Sequence, residues 1–267
     1  MQATVAVTHR RRGPHPAWVV AAVTFLTLLG ASGFRSTPGV LIVPLQDEFG
    51  WSRTVISAAV SVNLILFGLA GPFAAAAMNR FGIRRVVLSA LLFVAAGSLL
   101  TVWMTAAWQL VLLWGVVVGL GTGAMTNVLA ATVATRWFVH RRGLVVGALT
   151  AAAATGQLVF LPLLAALAEG PGWRWSSVAV AVGALLVVPL VLAFLRNSPA
   201  DVGLRPYGAA EDSPIVPPVA APKPVRTALR VLREASRVPA FWLLAGSFAI
   251  CGATTNGLTV SVPTSSK

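Results

Sequence analysis

Charge is what this sequence has least of. Only 10% of its 267 residues are Asp, Glu, Lys or Arg, where a soluble domain carries about a quarter. Acid is scarcest, with seven Asp and Glu in all. None of the seven falls inside the six complete apolar runs of the chain. Asp47, Glu48 and Glu169 lie in connections between runs. A proton relay built on membrane carboxylates therefore has no candidate. Cysteine occurs once, at Cys251, which excludes an intramolecular disulfide and a multi-cysteine metal site. His9, His15 and His140 stand in tail or loop with no metal-ligand spacing. There is no phosphate-binding Gly-Lys-Ser/Thr loop and no nucleophile elbow. No cofactor is expected, and an intramembrane enzyme is the least supported class.

What the chain has is apolar length. A hydrocarbon core needs about 20 apolar residues per helix. Six runs meet that need: Trp18–Val43, Thr54–Ala77, Val86–Met104, Trp108–Thr135, Gly143–Ala168 and Trp175–Leu195. A seventh begins near Phe241 and ends around Val260. Each exceeds a strand's length and lacks alternation of period two, so the reading is an all-α, multi-pass membrane protein. The basic tail leads into a run too long for a signal peptide, with no small-residue cleavage site.

The net charge of +13 raises nucleic acid as a partner, and its distribution answers against it. One set of segments holds Arg10, Arg11 and Arg12, then Arg80, Arg84 and Arg85, then Arg136, Arg141 and Arg142. After the sixth run it adds Arg196, Arg205, Lys223, Arg226, Arg230, Arg233 and Arg237. The alternate connections hold only Arg53 and Arg174. This is the positive-inside pattern, which predicts a cell-membrane protein with a cytoplasmic N-terminus. The lipid bilayer is its expected surrounding, and no nucleic-acid partner is expected.

Four regions follow: a basic tail (residues 1–16), six transmembrane spans (17–196), a cytoplasmic linker (197–238) and a shortened seventh span (239–267). Asn197 to Pro224 holds seven prolines and cannot form a membrane helix. From Val225 to Val238 helical periodicity returns. Val225, Ala228, Leu229, Leu232 and Ala235 form an apolar stripe opposite Arg226, Arg230, Arg233 and Arg237. Such a helix either lies on an anionic leaflet or packs under its own domain. In the fourth run Gly115, Gly119 and Gly123 recur every four residues, a spacing for close helix packing. Pro162 is expected to disturb the fifth run locally.

Polar side chains at depth are few. Arg35 is the eighteenth residue of the 26-residue first run, about 7 Å past its midpoint at 1.5 Å per residue. A charge held there is costly and marks a pathway or a binding site by default. Asn63, Asn127 and Gln157 stand in the second, fourth and fifth runs. Arg offers a planar fork for carboxylate or phosphate, and the amides offer donors and acceptors. Together they suit one wall of a polar cavity for an anion. Two other readings stay open: interhelical hydrogen bonding by the amides, and outward snorkelling by Arg35.

Between the second and third runs stands Ala75-Ala-Ala-Met-Asn79-Arg80-Phe81-Gly82-Ile83-Arg84-Arg85. It resembles the cytoplasmic loop motif of the major facilitator superfamily, Gly-x-x-x-Asp-(Arg/Lys)-x-Gly-x-(Arg/Lys)-(Arg/Lys). Arg80, Gly82, Arg84 and Arg85 match it. Ala75 replaces the first glycine and Asn79 the aspartate, so Asn79 can cap a helix but cannot form that family's charge pair. Other stretches resemble the monocarboxylate and oxalate/formate carriers of that superfamily. They are Glu48-Phe-Gly-Trp-Ser-Arg53, Arg136-Trp-Phe-Val-His-Arg-Arg-Gly143, Gly172-Trp-Arg174 and Pro199-Ala-Asp-Val-Gly-Leu-Arg-Pro-Tyr-Gly208. Gly115 occupies the place where drug–proton exchangers carry an arginine.

The resemblance implies twelve helices in two halves with a small-molecule substrate between them. This chain supplies the six-helix N-terminal half of such a bundle and part of a seventh helix, so it reads as a fragment. A missing C-terminal half or a second copy would complete the cavity. The implied function is secondary transport of a small solute, an organic anion such as a monocarboxylate. Arg35, Asn63, Asn127 and Gln157 would be its substrate-binding residues, and Asn79, Arg80, Gly82, Arg84 and Arg85 its cytoplasmic gate. The alternatives are export of an uncharged or cationic compound and a non-transporting sensor or assembly subunit.

Overall fold

The computed structural model describes residues 15–210, 224–247 and 250, without the side chains of residues 35–40 and 224. The tail at 1–14, the linker stretch at 211–223 and most of the seventh run lie outside the described residues. The protein is a helical bundle, and six of its described helical spans are long and apolar enough to cross a membrane.

Helix α1 spans Pro16–Phe49. Pro16 suits its first turn, where no amide donor is required. The Ala17 amide donates to Nδ1 of His15, 3.2 Å away. The helix outruns its apolar stretch and ends at Gly50, whose φ of 66° closes the last turn. Helix α2 covers Arg53–Phe81 and α3 covers Ile83–Thr101, stopping short of the expected Met104.

The fourth span is the irregular one. It is assembled from α4 (Ala107–Leu110), a π-helical stretch (Val111–Val118), α5 (Gly119–Ala124) and α6 (Asn127–Trp137). Met125, at φ −102° and ψ 54°, breaks the helix, and the Thr126 hydroxyl caps the restart by accepting from the Val128 amide. No proline lies in this span. Its glycines instead let it press against its neighbours. A Cβ on Gly123 would stand 2.6 Å from the Ala70 Cβ of α2, and one on Gly121 would stand 2.8 Å from the Ala90 carbonyl of α3. By contrast α7 (Arg142–Glu169) continues unbroken through Pro162, where a disturbance is expected.

Helix α8 (Trp173–Phe194) is the sixth span. Helices α7 and α8 both pack on α1, the fourth span lies against α2 and α3, and α3 meets α8. The α1–α7 seam is close enough that a Cβ on Gly156 would stand 2.5 Å from the Leu29 carbonyl. After α8 the chain does not loosen at once. A short 3-10 turn at Pro199–Val202 leads to Tyr207, whose amide donates to the Trp137 carbonyl (2.7 Å) while its carbonyl accepts from the Val139 amide (2.9 Å). Helix α9 (Pro224–Ala235) packs against α2, and residues 239–247 are helical.

Candidate functional site: a polar interior and two latched ends

The bundle has two ends of unequal charge. The basic end gathers the α2–α3 turn, the 137–142 connection and the segment after α8. The opposite end gathers the α1–α2, α3–α4 and α7–α8 connections.

Inside the bundle, Asn63 sits on α2 with its side chain buried. Its amide nitrogen donates to the Trp114 carbonyl at 2.8 Å. Trp114 belongs to the π-helical stretch, where the regular i→i+4 ladder is interrupted. A polar side chain from the adjacent helix thus satisfies backbone in the irregular turn, as a dry interior demands. Gly119 makes room for it: a Cβ there would stand 3.2 Å from Asn63 Cα.

Asn127 is the first residue of α6, directly after the break, and is exposed. Gln157 is exposed on α7, beside the Gly156 contact with α1. Neither side chain has a hydrogen-bond partner among the described residues. Arg35 lies in α1, and its side chain is outside the described residues. Two residues before it, a Cβ on Gly33 would stand 2.7 Å from the Phe160 ring. That contact sets the Arg35 turn of α1 beside the Gln157 turn of α7. Asn63 and Asn127 are not at one level. The start of α6 meets α2 at Gly71, where a Cβ would touch Val128. Gly71 is eight residues from Asn63, or about 12 Å along the axis. A pocket between α1, α2 and the fourth span, lined by Leu41, Leu45, Ile56, Ala59, Val60, Leu110 and Trp114, is wholly apolar.

At the basic end the motif residues split. Arg80 and Arg85 are exposed and make no ion pair or side-chain hydrogen bond among the described residues. Asn79 and Gly82 join a network centred on Arg136, at the end of α6. One Arg136 terminal nitrogen, Nη2, donates to Asn79 Oδ1 (2.6 Å) and to the Met78 carbonyl (3.3 Å). The other, Nη1, donates to the Asn197 carbonyl (3.3 Å). The Asn197 side chain in turn accepts from the Arg84 amide (2.9 Å). Gly82 is required here twice over. Its φ is 90°, and a Cβ would stand 2.5 Å from Asn197 Oδ1. Asp201 is held by the amide and hydroxyl of Ser198. The rings of Trp18, Phe138 and Tyr207 meet edge-on or tilted beside this network, with centroids 5.3–5.8 Å apart. His15 abuts Tyr207, and burial holds its imidazole below the usual histidine range despite a hydrogen bond with Arg205 backbone.

The opposite end is closed differently. Arg174 Nη2 stands 2.6 Å from Glu48 Oε1. The Trp173 indole donates to the other carboxylate oxygen (2.5 Å). Arg174 Nε reaches the Val102 carbonyl (3.3 Å), and its guanidinium lies 4.7 Å over the Trp173 ring. Phe49 stacks on Trp51 alongside. Hydrogen bonding from Trp173, then Arg174, holds the Glu48 carboxyl below its ordinary range.

Sequence reasoning missed Arg136, Asn197 and Tyr207 as network members. Their stretches carried a family resemblance, but nothing in their spacing shows that three distant segments converge. Among the described residues no group of three or more His, Cys, Asp or Glu could hold a metal ion.

This helical architecture is that of solved membrane transporters. The partially occluded, inward-open xylose transporter XylE of E. coli superposes with a TM-score of 0.60 at 16% identity, covering 91% of this chain and 60% of that one. The peptide transporter POT in complex with sulfate gives 0.62 at 15% identity, over 93% of this chain and 48% of that one. The Major Facilitator Superfamily model matches residues 20–266, and the chain belongs to that family. The solved structures share its fold. Among curated relatives, the uncharacterized MFS-type transporter YcxA of Bacillus subtilis is 26% identical over 190 residues, 71% of this chain and 47% of that protein. Human monocarboxylate transporter 7 is 30% identical over 175 residues, 64% of this chain and 32% of its own. The chain thus spans less than half the length of these curated relatives.

Proposed function

We propose that this chain forms one six-helix half of a secondary transporter for a small organic anion, of which a monocarboxylate is the simplest example. A second six-helix unit, either a C-terminal half or another copy, supplies the facing wall of the cavity. The observation that carries the reading is Arg35, the one ionisable residue deep in an apolar run, with no acid in the six runs to neutralise it. A bound anion offsets the cost of that charge at depth, and the guanidinium fork matches a carboxylate. Gln157, one helix away at a neighbouring turn, and Asn127, exposed at the helix break, are further candidate contacts. Asn63 belongs to the same wall through the π-helical turn it supports. The similarity to monocarboxylate transporters favours the same substrate class. The basic asymmetry supports an N-terminus and a basic end in the cytoplasm. Asn79, Arg80, Gly82, Arg84 and Arg85 then belong to the cytoplasmic gate.

The test is uptake of labelled lactate into proteoliposomes holding the chain alone or with a complementary six-helix half. Alone, the chain is expected to show no saturable uptake. With the complement, Arg35→Lys weakens uptake, and Arg35→Ala nearly abolishes it while membrane insertion is unchanged. Normal uptake by Arg35→Ala would remove the anchor role. Loss of insertion in that variant would make Arg35 a packing residue. Saturable uptake by the chain alone, with a crosslinked dimer, would assign the second wall to another copy.

A further inference from the structure

Helix α9 is not needed to build the six-span bundle, and its surface is sharply divided. At 3.6 residues per turn, Arg226, Arg230 and Arg233 fall within an arc of about 60°, and Arg237 follows in the turn just after the helix. All four are exposed. Glu234 is the one acid of the helix, and it faces only Arg230, 3.8 Å away with both side chains largely in solvent. The row therefore keeps a strong positive excess. The flank beside it is apolar. Val225 and Leu229 are more than half exposed, although they are the residues a soluble helix would bury.

Packing on the bundle accounts for only part of this helix. Helix α9 lies against α2, and Ala228 is the one fully buried side chain among its described residues. That contact ties α9 to a membrane-length helix. Four clustered guanidiniums cannot enter hydrocarbon. A helix both docked on α2 and carrying this row is restricted to the headgroup zone, where an apolar flank and a basic row are each satisfied.

We infer that α9 is a lipid-binding element, whose arginine row takes the phosphates of anionic phospholipids while Val225 and Leu229 enter the membrane interface. Arg suits this because its fork engages phosphate oxygens two at a time. The side of the membrane on which this happens rests on the proposed topology. The recognition itself does not.

The test uses the full chain with Cys251→Ser and a bimane dye on Leu229→Cys, purified into nanodiscs. One set contains phosphatidylcholine alone and the other includes phosphatidylglycerol. In the anionic discs the emission is expected to shift to the blue and quenching by acrylamide to be lost. High salt reverses both changes, because the attraction is screened. Replacing the four arginines by glutamine removes the lipid dependence, and replacing them by lysine preserves part of it. Inorganic phosphate added to the zwitterionic discs has no effect. Equal emission and quenching in the two disc types would overturn the inference, as would lipid dependence that survives the glutamine changes. A blue shift that follows protein concentration would assign the surface to a second copy instead. Nanodiscs expose both faces, so a wrong orientation leaves these results untouched. Orientation is settled separately by labelling Ala220→Cys in sealed vesicles with an impermeant thiol reagent.

Discussion

The two ends of the bundle are each held by one arginine reaching across connections, yet the acceptors differ. At the opposite end Arg174 meets a carboxylate, Glu48, in an ion pair that Trp173 completes. At the basic end Arg136 meets an amide oxygen of Asn79 and the carbonyls of Met78 and Asn197. The first latch is two opposite charges on a partly exposed surface. The second is one charge shared among neutral dipoles beside a crowd of other arginines. A carrier that rocks must open one end while the other stays shut. Latches of different chemistry respond differently to salt, pH and substitution, so the two ends can be perturbed one at a time.

The largest effect is expected at Arg136. Arg136→Ala removes three hydrogen bonds from a charged donor and leaves the Met78 and Asn197 carbonyls without that partner. Hydrogen bonds to charged groups contribute about 1.5–3 kcal/mol each when well formed and buried, and two of these three are long and the third is exposed. A net loss of about 2–3 kcal/mol is expected once water replaces part of them, read as a lower unfolding temperature in detergent. Arg136→Lys recovers only part of it, because a single ammonium cannot reach all three acceptors. If Arg136→Ala melted like the parent, the basic end would not be latched by this residue, and the comparison would fail on that side.

Asn79→Asp makes the two ends alike. The 2.6 Å contact then becomes an ion pair within a positive surrounding. Because Asn79 is exposed, a gain of no more than about 1 kcal/mol is expected. Its signature is salt dependence: the gain shrinks as ionic strength rises. A gain indifferent to salt would mean that the new carboxylate acts through hydrogen bonding and not through charge.

The six spans were legible because bilayer thickness writes itself into the length of an apolar run. Helix ends were less so. Helix α1 continues through Gln46, Asp47 and Glu48 because Gly50 supplies the left-handed stop, and hydropathy does not register such a stop. The fourth-span glycines correctly indicated close packing, but nothing in their spacing registers the π-helical stretch or the break at Met125. Asn63 was visible as a polar residue at depth. That it would donate to Trp114, 51 positions away, was not. The positions of motifs along the chain carry no distance in space either. Glu48 and Trp173 lie in stretches singled out separately, and only the folded bundle brings them into contact.

The smallest effect concerns Glu48 and distinguishes the ends by pH. Its carboxyl titrates below the ordinary glutamate value of 4.5, because Trp173 and Arg174 favour the ionised form. A carboxyl whose folded value is depressed adds stability that is complete above the unfolded value. That stability is lost as pH falls through the folded one. The opposite end should therefore weaken only on the acid side of about pH 4.5. The amide acceptor Asn79 does not titrate there. Glu48→Gln keeps an oxygen for the Trp173 indole and deletes the charge facing Arg174. With Glu48 more than a third exposed, the expected cost at neutral pH is about a few tenths of a kcal/mol, within the range of surface pairs. The more telling readout is the unfolding temperature followed from neutral pH downward. The parent should lose stability more steeply than Glu48→Gln, and the two curves should converge in acid. If the slope were unchanged by Glu48→Gln, the Glu48–Arg174 pair would not be the source of acid sensitivity, and pH would not distinguish the two ends.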